Sequence, residues 1–238
     1  MEKLEEPVFT EKSTAVSYTQ YGMHKDCPRR YKLRYIDKIP DNRPKHPAAA
    51  RGTNIHDSVE SFFNRETEEL HHEIPTFKQE MFLMRENHDC KAEEKFCFDA
   101  DWNPVHYDDP KGAIRGLIDL YFIDEDIADV KEWKTGKMYA DHREQRYLYG
   151  TAALINHPQV STAKVTNYYF DEMKKKRPKP ENTRVSEVYH RGTLIMAKDV
   201  WSRRIDVIKN SANYPPFPSW KCGFCPYSKP NGGPCEFS

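Results

Sequence analysis

Two β-rich segments follow each other along the chain and are separated by only a short acidic turn. The first covers residues 113–123, the second covers residues 127–135, and Asp124-Glu-Asp126 lies between them. A connection this short joins antiparallel neighbours, so the two segments predict a β-hairpin. Each predicted strand carries one carboxylate in apolar or β-prone surroundings, Asp119 in the first and Glu132 in the second. The hairpin therefore fixes the centre of the fold and brings acidic groups to it.

Other segments predict helices and strands on both sides of this hairpin. One helix is predicted to begin at Gly52-Thr53, and others are predicted over about 77–95, 142–155 and 193–210. Further strands are predicted at 96–100, 165–170 and 184–189, whereas the proline-rich stretch 43–50 predicts a loop. This order predicts a mixed α/β core with a helical N-terminal addition.

The acidic residues of the hairpin have the spacing of a metal site. Side chains alternate along a strand, so Glu132 and Lys134 point to one face, and Asp119 can reach that face if the strands pair. Two carboxylates beside a lysine make an oxygen site for Mg²⁺ or Mn²⁺ that suits phosphodiester hydrolysis. A second D-x-K, Asp129-Val-Lys131, would point to the opposite face. The competing interpretation is an amphipathic hairpin with solvent-facing charges.

Two helices add polar pairs at a spacing of four residues. His56 and Glu60 share one face of the helix after Gly52-Thr53, and Gln145 and Tyr149 share one face of a helix after the hairpin. A polar residue and an aromatic on one face suit contact with nucleic acid, although a helix surface or a core would explain them equally well.

The ordered set of these motifs resembles the PD-(D/E)XK nucleases of the RecB-like branch. The motifs are Gly52-Thr-Asn-Ile-His56-Asp-Ser-Val-Glu60, Gly116-Leu-Ile-Asp119, Glu132-Trp-Lys134-Thr-Gly136 and Gln145-Arg-Tyr-Leu-Tyr149. That branch includes nuclease domains of bacterial recombination helicases, CRISPR-associated adaptation exonucleases, the mitochondrial genome maintenance exonuclease and many phage exonucleases. The similarity extends from about Cys27 to Cys235.

The resemblance implies a restriction-endonuclease-like core in which a central mixed β-sheet is flanked by helices. It implies that His56, Asp119 and Glu132 bind the metal, with the Trp133 carbonyl oxygen as a further ligand. It also implies that Lys134 positions or activates the attacking water. Gln145 and Tyr149 would organise substrate and active site, and Glu60 would support the motif. The resemblance favours Glu132-Trp-Lys134 over the upstream D-x-K, because Thr-Gly follows it directly.

Four of the six cysteines have a spacing that suggests a metal centre. Cys222-Gly-Phe-Cys225 is a C-x2-C, Cys235 follows it, and Cys27 lies alone near the start of the chain. Tetrahedral thiolate sites need four ligands, and Cys27 is the candidate for the fourth. In the nucleases that the chain resembles, such a set holds a 4Fe–4S cluster that ties the N-terminal helices to the C-terminal tail. The long spacing before Cys235 keeps Zn²⁺ open as the alternative.

Charge is distributed unevenly along a chain whose formal net charge is +0. Residues 57–109 contain fifteen acidic and five basic side chains, so this stretch carries −10 and the remainder +10. Basic residues around Cys27 interleave with tyrosines, and Arg29, Arg30 and Tyr31 are therefore candidates for contact with DNA. The alternative is a solvated helical face whose tyrosines pack inward.

We therefore predict a metal-dependent DNA exonuclease that acts on single-stranded or duplex ends in replication, recombination or phage DNA metabolism. A single-strand-binding or recombination protein is the expected partner. The competing class is a non-catalytic DNA-end-binding or assembly module with an iron–sulfur or zinc staple.

The predicted parts are a helical region (1–51), a nuclease core (52–212) and a cysteine-rich tail (213–238). No apolar run approaches the roughly 20 residues of a membrane span, and the start of the chain has no signal-peptide core, so we expect a cytoplasmic protein, in the host cytoplasm if phage-encoded.

Overall fold

The structure is a computed structural model of the chain. It describes residues 11–44, 46–74, 77–136, 138–139 and 142–237. Residues 1–10, on which the expectation about a signal peptide depends, lie outside the described residues. The chain divides into two compact units, and the division falls after residues 15, 45 and 200. The first unit holds the described parts of 11–15 and 46–200, and the second holds those of 16–45 and 201–237.

A mixed β-sheet forms the centre of the first unit. The strands, numbered along the chain from a short β1 in the second unit, are β1 (Val16–Ser17), β2 (Lys91–Phe98), β3 (Ile114–Asp124), β4 (Ile127–Lys134), β5 (Thr162–Tyr169) and β6 (Arg184–His190). Strands β3 and β4 form the predicted hairpin, in which Leu120 lies opposite Lys131. Strands β4 and β5 are parallel, whereas β2 pairs with β3, and β6 with β5, in antiparallel fashion. The expected mixed α/β core is confirmed.

Eight helices among the described residues accompany these strands. They are α1 (Tyr18–Asp26), α2 (Pro28–Tyr31), α3 (Pro47–Phe63), α4 (Lys78–Asn87), α5 (His142–Asn156), α6 (Phe170–Met173), α7 (Pro180–Thr183) and α8 (Leu194–Lys209). Shorter turns are a π-helical segment (Lys32–Ile36) and 3-10 segments (Arg191–Thr193, Trp220–Phe224 and Lys229–Asn231). No described helix is long and apolar enough to cross a bilayer.

Two of the predicted element boundaries are wrong. Helix α3 begins at Pro47, inside the stretch that predicts a loop, because proline suits the first helical position and a ring nitrogen of His46 accepts a hydrogen bond from the Ala48 N–H. The helix predicted over 77–95 ends at Asn87, and the chain enters strand β2 at Lys91. Pairing with β3 overrides the helix propensity of the polar residues that open β2.

The core of the first unit lies where helices α3 and α4 cover the sheet. Its buried members include Ile55, Val59, Phe62 and Phe63 of α3, Met81 and Met84 of α4, and Leu120, Phe122, Trp133 and Tyr168 of the strands. Trp133 stacks on Phe63 and Phe170, with ring centroids 6.5 and 6.2 Å away. Because side chains alternate along β4, the neighbours of Trp133 point away from this core, to the face on which α5 packs.

The second unit has an aromatic core of its own. The ring of Tyr31 stacks on Tyr214 with centroids 6.1 Å apart, and Trp201 meets Tyr21 edge to face at 5.3 Å. The four cysteines of the predicted metal centre, Cys27, Cys222, Cys225 and Cys235, all belong to this unit.

Candidate active site

The two carboxylates of the hairpin are buried beside each other. Asp119 and Glu132 are 7% and 5% exposed. The backbone N–H of Trp133 donates a hydrogen bond of 2.6 Å to Oδ2 of Asp119. Oε1 of Glu132 accepts hydrogen bonds from Nζ of Lys134 at 2.7 Å and from Nε2 of Gln145 at 2.9 Å. Oε2 of Glu132 is buried and has no hydrogen-bond partner among the described residues.

Burial and mutual repulsion shift the ionisation of this pair. Burial and the negative charge of Asp119 raise the pKa of Glu132 to about 7, although Lys134 opposes the shift. Burial works against the charged form of Lys134, but the charges of Glu132 and Asp119 outweigh it and raise the pKa of the lysine. The raised pKa values mean that the metal-free site retains protons, which a divalent metal ion can replace.

Helix α3 and strand β2 bring two more ligand-bearing side chains to Asp119. One nitrogen or oxygen atom each of His56, Glu93 and Asp119 lies within 4.8 Å of the other two, and Nδ1 of His56 lies 3.4 Å from Oδ1 of Asp119. Burial lowers the pKa of His56, but the hydrogen bond and charge of Asp119 outweigh it and raise the pKa to about 9. Burial and the charge of Asp119 raise the pKa of Glu93 to about 7.

Glu93 is a site residue that the sequence analysis missed. The predicted helix over 77–95 places it on the wrong element. In strand β2, Ala92 pairs with Leu120 and Glu94 pairs with Ile118, so Glu93 lies at the level of Asp119. Its φ of 51° is in the left-handed region, which is unusual for a side chain other than glycine, asparagine or aspartate. This local kink brings the carboxylate of Glu93 towards the site.

Gln145 and Tyr149 form a buried hydrogen-bond network behind Lys134. Oε1 of Gln145 accepts a hydrogen bond from Nζ of Lys134 at 2.7 Å, and Nε2 of Gln145 lies 3.0 Å from the hydroxyl of Tyr149. Both side chains are only 6% exposed. A role in orienting Lys134 and Glu132 fits these positions, and contact of Gln145 and Tyr149 with DNA stays a prediction.

The upstream D-x-K points away from this site. Nζ of Lys131 donates a hydrogen bond of 2.7 Å to Oδ1 of Asp129 and lies 5.4 Å from the ring centroid of Phe122, a member of the core that covers the opposite face of the sheet. Burial lowers the pKa of Lys131. The geometry therefore groups Asp119 with Glu132 and Lys134, not with Asp129.

The remaining predicted residues fall in two places. Glu60 is half-buried near Glu93, whose pKa its charge helps to raise. Arg29, Arg30 and Tyr31 belong to the second unit. Tyr31 is 6% exposed and packs inward between other rings, as in the alternative interpretation, and its contact with DNA stays a prediction. The guanidinium of Arg29 donates to the Tyr214 carbonyl at 3.0 Å.

The four cysteines line one recess in the second unit. This recess is small, with a cavity volume of about 20 Å³, and Cys27, Cys222, Cys225 and Cys235 all contribute to its walls. The sulfur of Cys27 accepts a hydrogen bond from the Phe217 N–H at 3.4 Å, and all six cysteines of the chain are free thiols. Two groups of three side chains among the described residues bring potential ligand atoms within 4.8 Å of one another, and neither includes a cysteine.

A metal ion fits the residues present at the hairpin. Carboxylate oxygens are the ligands that Mg²⁺ and Mn²⁺ prefer, and the unpartnered Oε2 of Glu132 is a buried oxygen that needs a partner. The site thus defines a metal-binding carboxylate pair with an adjacent lysine, a combination suited to hydrolysis of phosphate esters.

Comparison with known proteins identifies the family. The model of the PD-(D/E)XK nuclease superfamily matches residues 15–229, so the chain belongs to this superfamily, whose members use divalent metal ions. No curated protein sequence matches the chain. Among solved structures, the protein SSO0001 is similar with 16% identity and a TM-score of 0.49, covering 91% of this chain and 85% of its own. A protein from Eubacterium rectale, named as a presumed exonuclease, has 10% identity and a TM-score of 0.48, with coverage of 85% and 84%. Neither likeness bears on activity.

The position of Glu93 generates a prediction about metal affinity. Glu93→Gln removes a carboxylate that lies beside Asp119 and His56, and we expect it to weaken Mn²⁺ binding about 10-fold or more. Glu94→Gln makes the same change of charge at the next residue of the strand, where the side chain is exposed, and should leave the affinity within about twofold. Electron paramagnetic resonance of free Mn²⁺ measures both. Equal weakening in the two variants would contradict a direct role of Glu93.

Proposed function

We propose that the protein is a metal-dependent deoxyribonuclease that degrades DNA from single-stranded or duplex ends. The single observation that carries this proposal is the convergence of Asp119, Glu132, Lys134 and His56, with a buried oxygen of Glu132 left without a partner. Membership of a nuclease superfamily supports hydrolysis of phosphodiesters. The preference for ends, and a role in replication, recombination or phage DNA metabolism, rest on the resemblance of the motifs to the RecB-like branch.

His56, Asp119 and Glu132 would hold the metal, and Glu93 adds a fourth candidate ligand. When bound, Mg²⁺ or Mn²⁺ supplies a Lewis acid that stabilises negative charge on the phosphate. Lys134 donates two of its three N–H groups to Glu132 and Gln145, which leaves the third for the attacking water or a phosphate oxygen. The charges of Glu132 and Asp119 raise the pKa of Lys134 in the metal-free site, where the protonated lysine holds Glu132 and Gln145 in place.

The non-catalytic alternative gains no support from the site. A module that only binds DNA ends does not need a lysine held by two hydrogen bonds above a buried carboxylate, or a Gln145–Tyr149 pair buried behind it. Burying these groups is energetically unfavourable, and a catalytic role explains why they are present together.

Cleavage of end-labelled DNA tests the proposal. We expect Glu132→Gln and Lys134→Ala to lower the rate about 100-fold or more in the presence of Mg²⁺ or Mn²⁺. The matched control is Asp129→Asn, which makes the same kind of isosteric change three residues upstream but on the other face of the sheet, and should cleave like the intact protein. Activity that survives in Lys134→Ala, or no cleavage by the intact protein with either metal, would refute the proposal.

We also propose that the four cysteines of the second unit hold a 4Fe–4S cluster, with Zn²⁺ as the alternative. Zinc bound to four thiolates at about 2.3 Å holds its sulfur atoms roughly 3.8 Å apart. No three sulfur atoms of this recess all lie within 4.8 Å of one another, so the cysteines are spaced more widely than in a zinc site. The sulfur of Cys222 accepts a hydrogen bond from the Ser219 N–H, and such bonds tune iron–sulfur clusters.

Metal analysis of protein purified without oxygen tests this second proposal. We expect close to four iron atoms per chain, and we expect Cys27→Ser to lose them. Cys90→Ser is the control, since Cys90 belongs to the first unit and should leave the iron content unchanged. Stoichiometric zinc would select the alternative, and a chain that holds neither metal would refute a metal centre.

A further inference from the structure

The C-terminal tail exposes aromatic rings that a stable fold would be expected to bury. Trp102, Trp133 and Trp201 are 6%, 2% and 1% exposed, whereas Trp220 is 76% exposed. Phe224 is 73% exposed and its ring centroid lies 6.2 Å from that of Trp220. We call Trp220 and Phe224 the tail aromatic pair. Large apolar side chains that stay exposed together mark sites of interaction.

The tail aromatic pair projects from a short turn that several hydrogen bonds hold in place. Residues Trp220–Phe224 form one 3-10 segment, whose first turn is capped by the side chain of Ser219. The side-chain amide of Asn231 donates to the carbonyl oxygens of Gly223 at 3.0 Å and Cys225 at 2.9 Å. Nη1 of Arg43 donates to the Phe224 carbonyl at 2.8 Å. Cys222 lies in this segment and Cys225 follows it directly, so the segment is continuous in sequence with two residues of the cysteine recess.

Positive charge surrounds this turn. The second unit contains 13 Lys and Arg against 5 Asp and Glu, a net charge of +8, so the rest of the chain carries −8. Lys221, between the two rings in sequence, pairs with Asp26, and Arg43 pairs with Asp41. The Lys221–Asp26 pair is partly exposed on both sides, and such ion pairs are weak. A phosphate can therefore take the place of Asp26, whereas the guanidinium of Arg43 donates two hydrogen bonds to Asp41 and one to the Phe224 carbonyl oxygen.

We propose that the tail aromatic pair stacks on the unpaired bases of single-stranded DNA while Lys221 contacts a phosphate. Exposed rings beside cations are the combination that binds single strands without regard to sequence. An apolar partner protein would also cover the rings, but it would gain nothing from a unit of net charge +8. The inference rests on the proposed function, which makes DNA the substrate, and adds a binding site for the strand outside the first unit.

Binding of two oligonucleotides that share a backbone but differ in their bases tests the proposal. One is a 20-mer of thymidine, and the other is a 20-mer with a stable abasic sugar at every position, both labelled with fluorescein. The Lys134→Ala protein, purified with its cysteine metal, is used throughout so that the strand is not cut. In anisotropy titrations, we expect Trp220→Ala to weaken binding of the thymidine strand about 5-fold to 100-fold and to leave binding of the abasic strand unchanged.

Three controls separate stacking from other effects. Trp220→Phe keeps a ring and should retain most of the preference for bases. Val207→Ala removes an apolar side chain that is 63% exposed in the same unit and should change nothing. Phe224→Ala repeats the test from the other ring. Equal loss of both oligonucleotides in Trp220→Ala, or no loss of either, would overturn the inference. A protein that prefers bases through Trp220 but cleaves no DNA would refute the proposed nuclease and leave this site standing.

Discussion

The structure of the first unit depends on the burial of two neighbouring carboxylates. Asp119 and Glu132 have almost no exposed surface, and burial together with the negative charge of Asp119 raises the pKa of Glu132, so a nearby positive charge stabilises the pair. The protein supplies part of that charge through Lys134 and His56. Within the described part of the chain, one oxygen of Glu132 has no hydrogen-bond partner. A site arranged in this way is unfavourable on its own and becomes stable when a divalent ion completes it.

The sequence predicts this centre well because local pattern determines it. A short turn between two β-rich segments fixes the hairpin, and alternation along β4 fixes which face receives Glu132 and Lys134. Glu93 escapes prediction because the polar residues before Phe96 have helix propensity, and only pairing with β3 makes them a strand. The burial of Tyr31 depends on Tyr214, which lies far away in sequence. Contacts of this kind leave no local signal.

The formal net charge of zero is the sum of one acidic unit and one basic unit. The acidic charge belongs to the unit that holds the carboxylate site, and the basic charge belongs to the unit that holds the four cysteines. An acidic unit repels DNA unless a metal ion is bound, whereas a basic unit attracts the backbone through counterion release. Under the proposed function, retaining DNA and cutting it would be tasks of different units, and the exposed Trp220 belongs to the basic one.

The central claim is that a metal ion takes over a site which otherwise holds protons. Calorimetric titration with Mn²⁺ between pH 6 and 9, in buffers with different heats of ionisation, tests it most directly. The pKa values of about 7 for Glu132 and about 9 for His56 mean that protons occupy both ligands at low pH. Affinity should therefore rise with pH across this range, and binding at pH 7 should release more than one proton per ion. Affinity that does not change with pH, without proton release, would contradict the account.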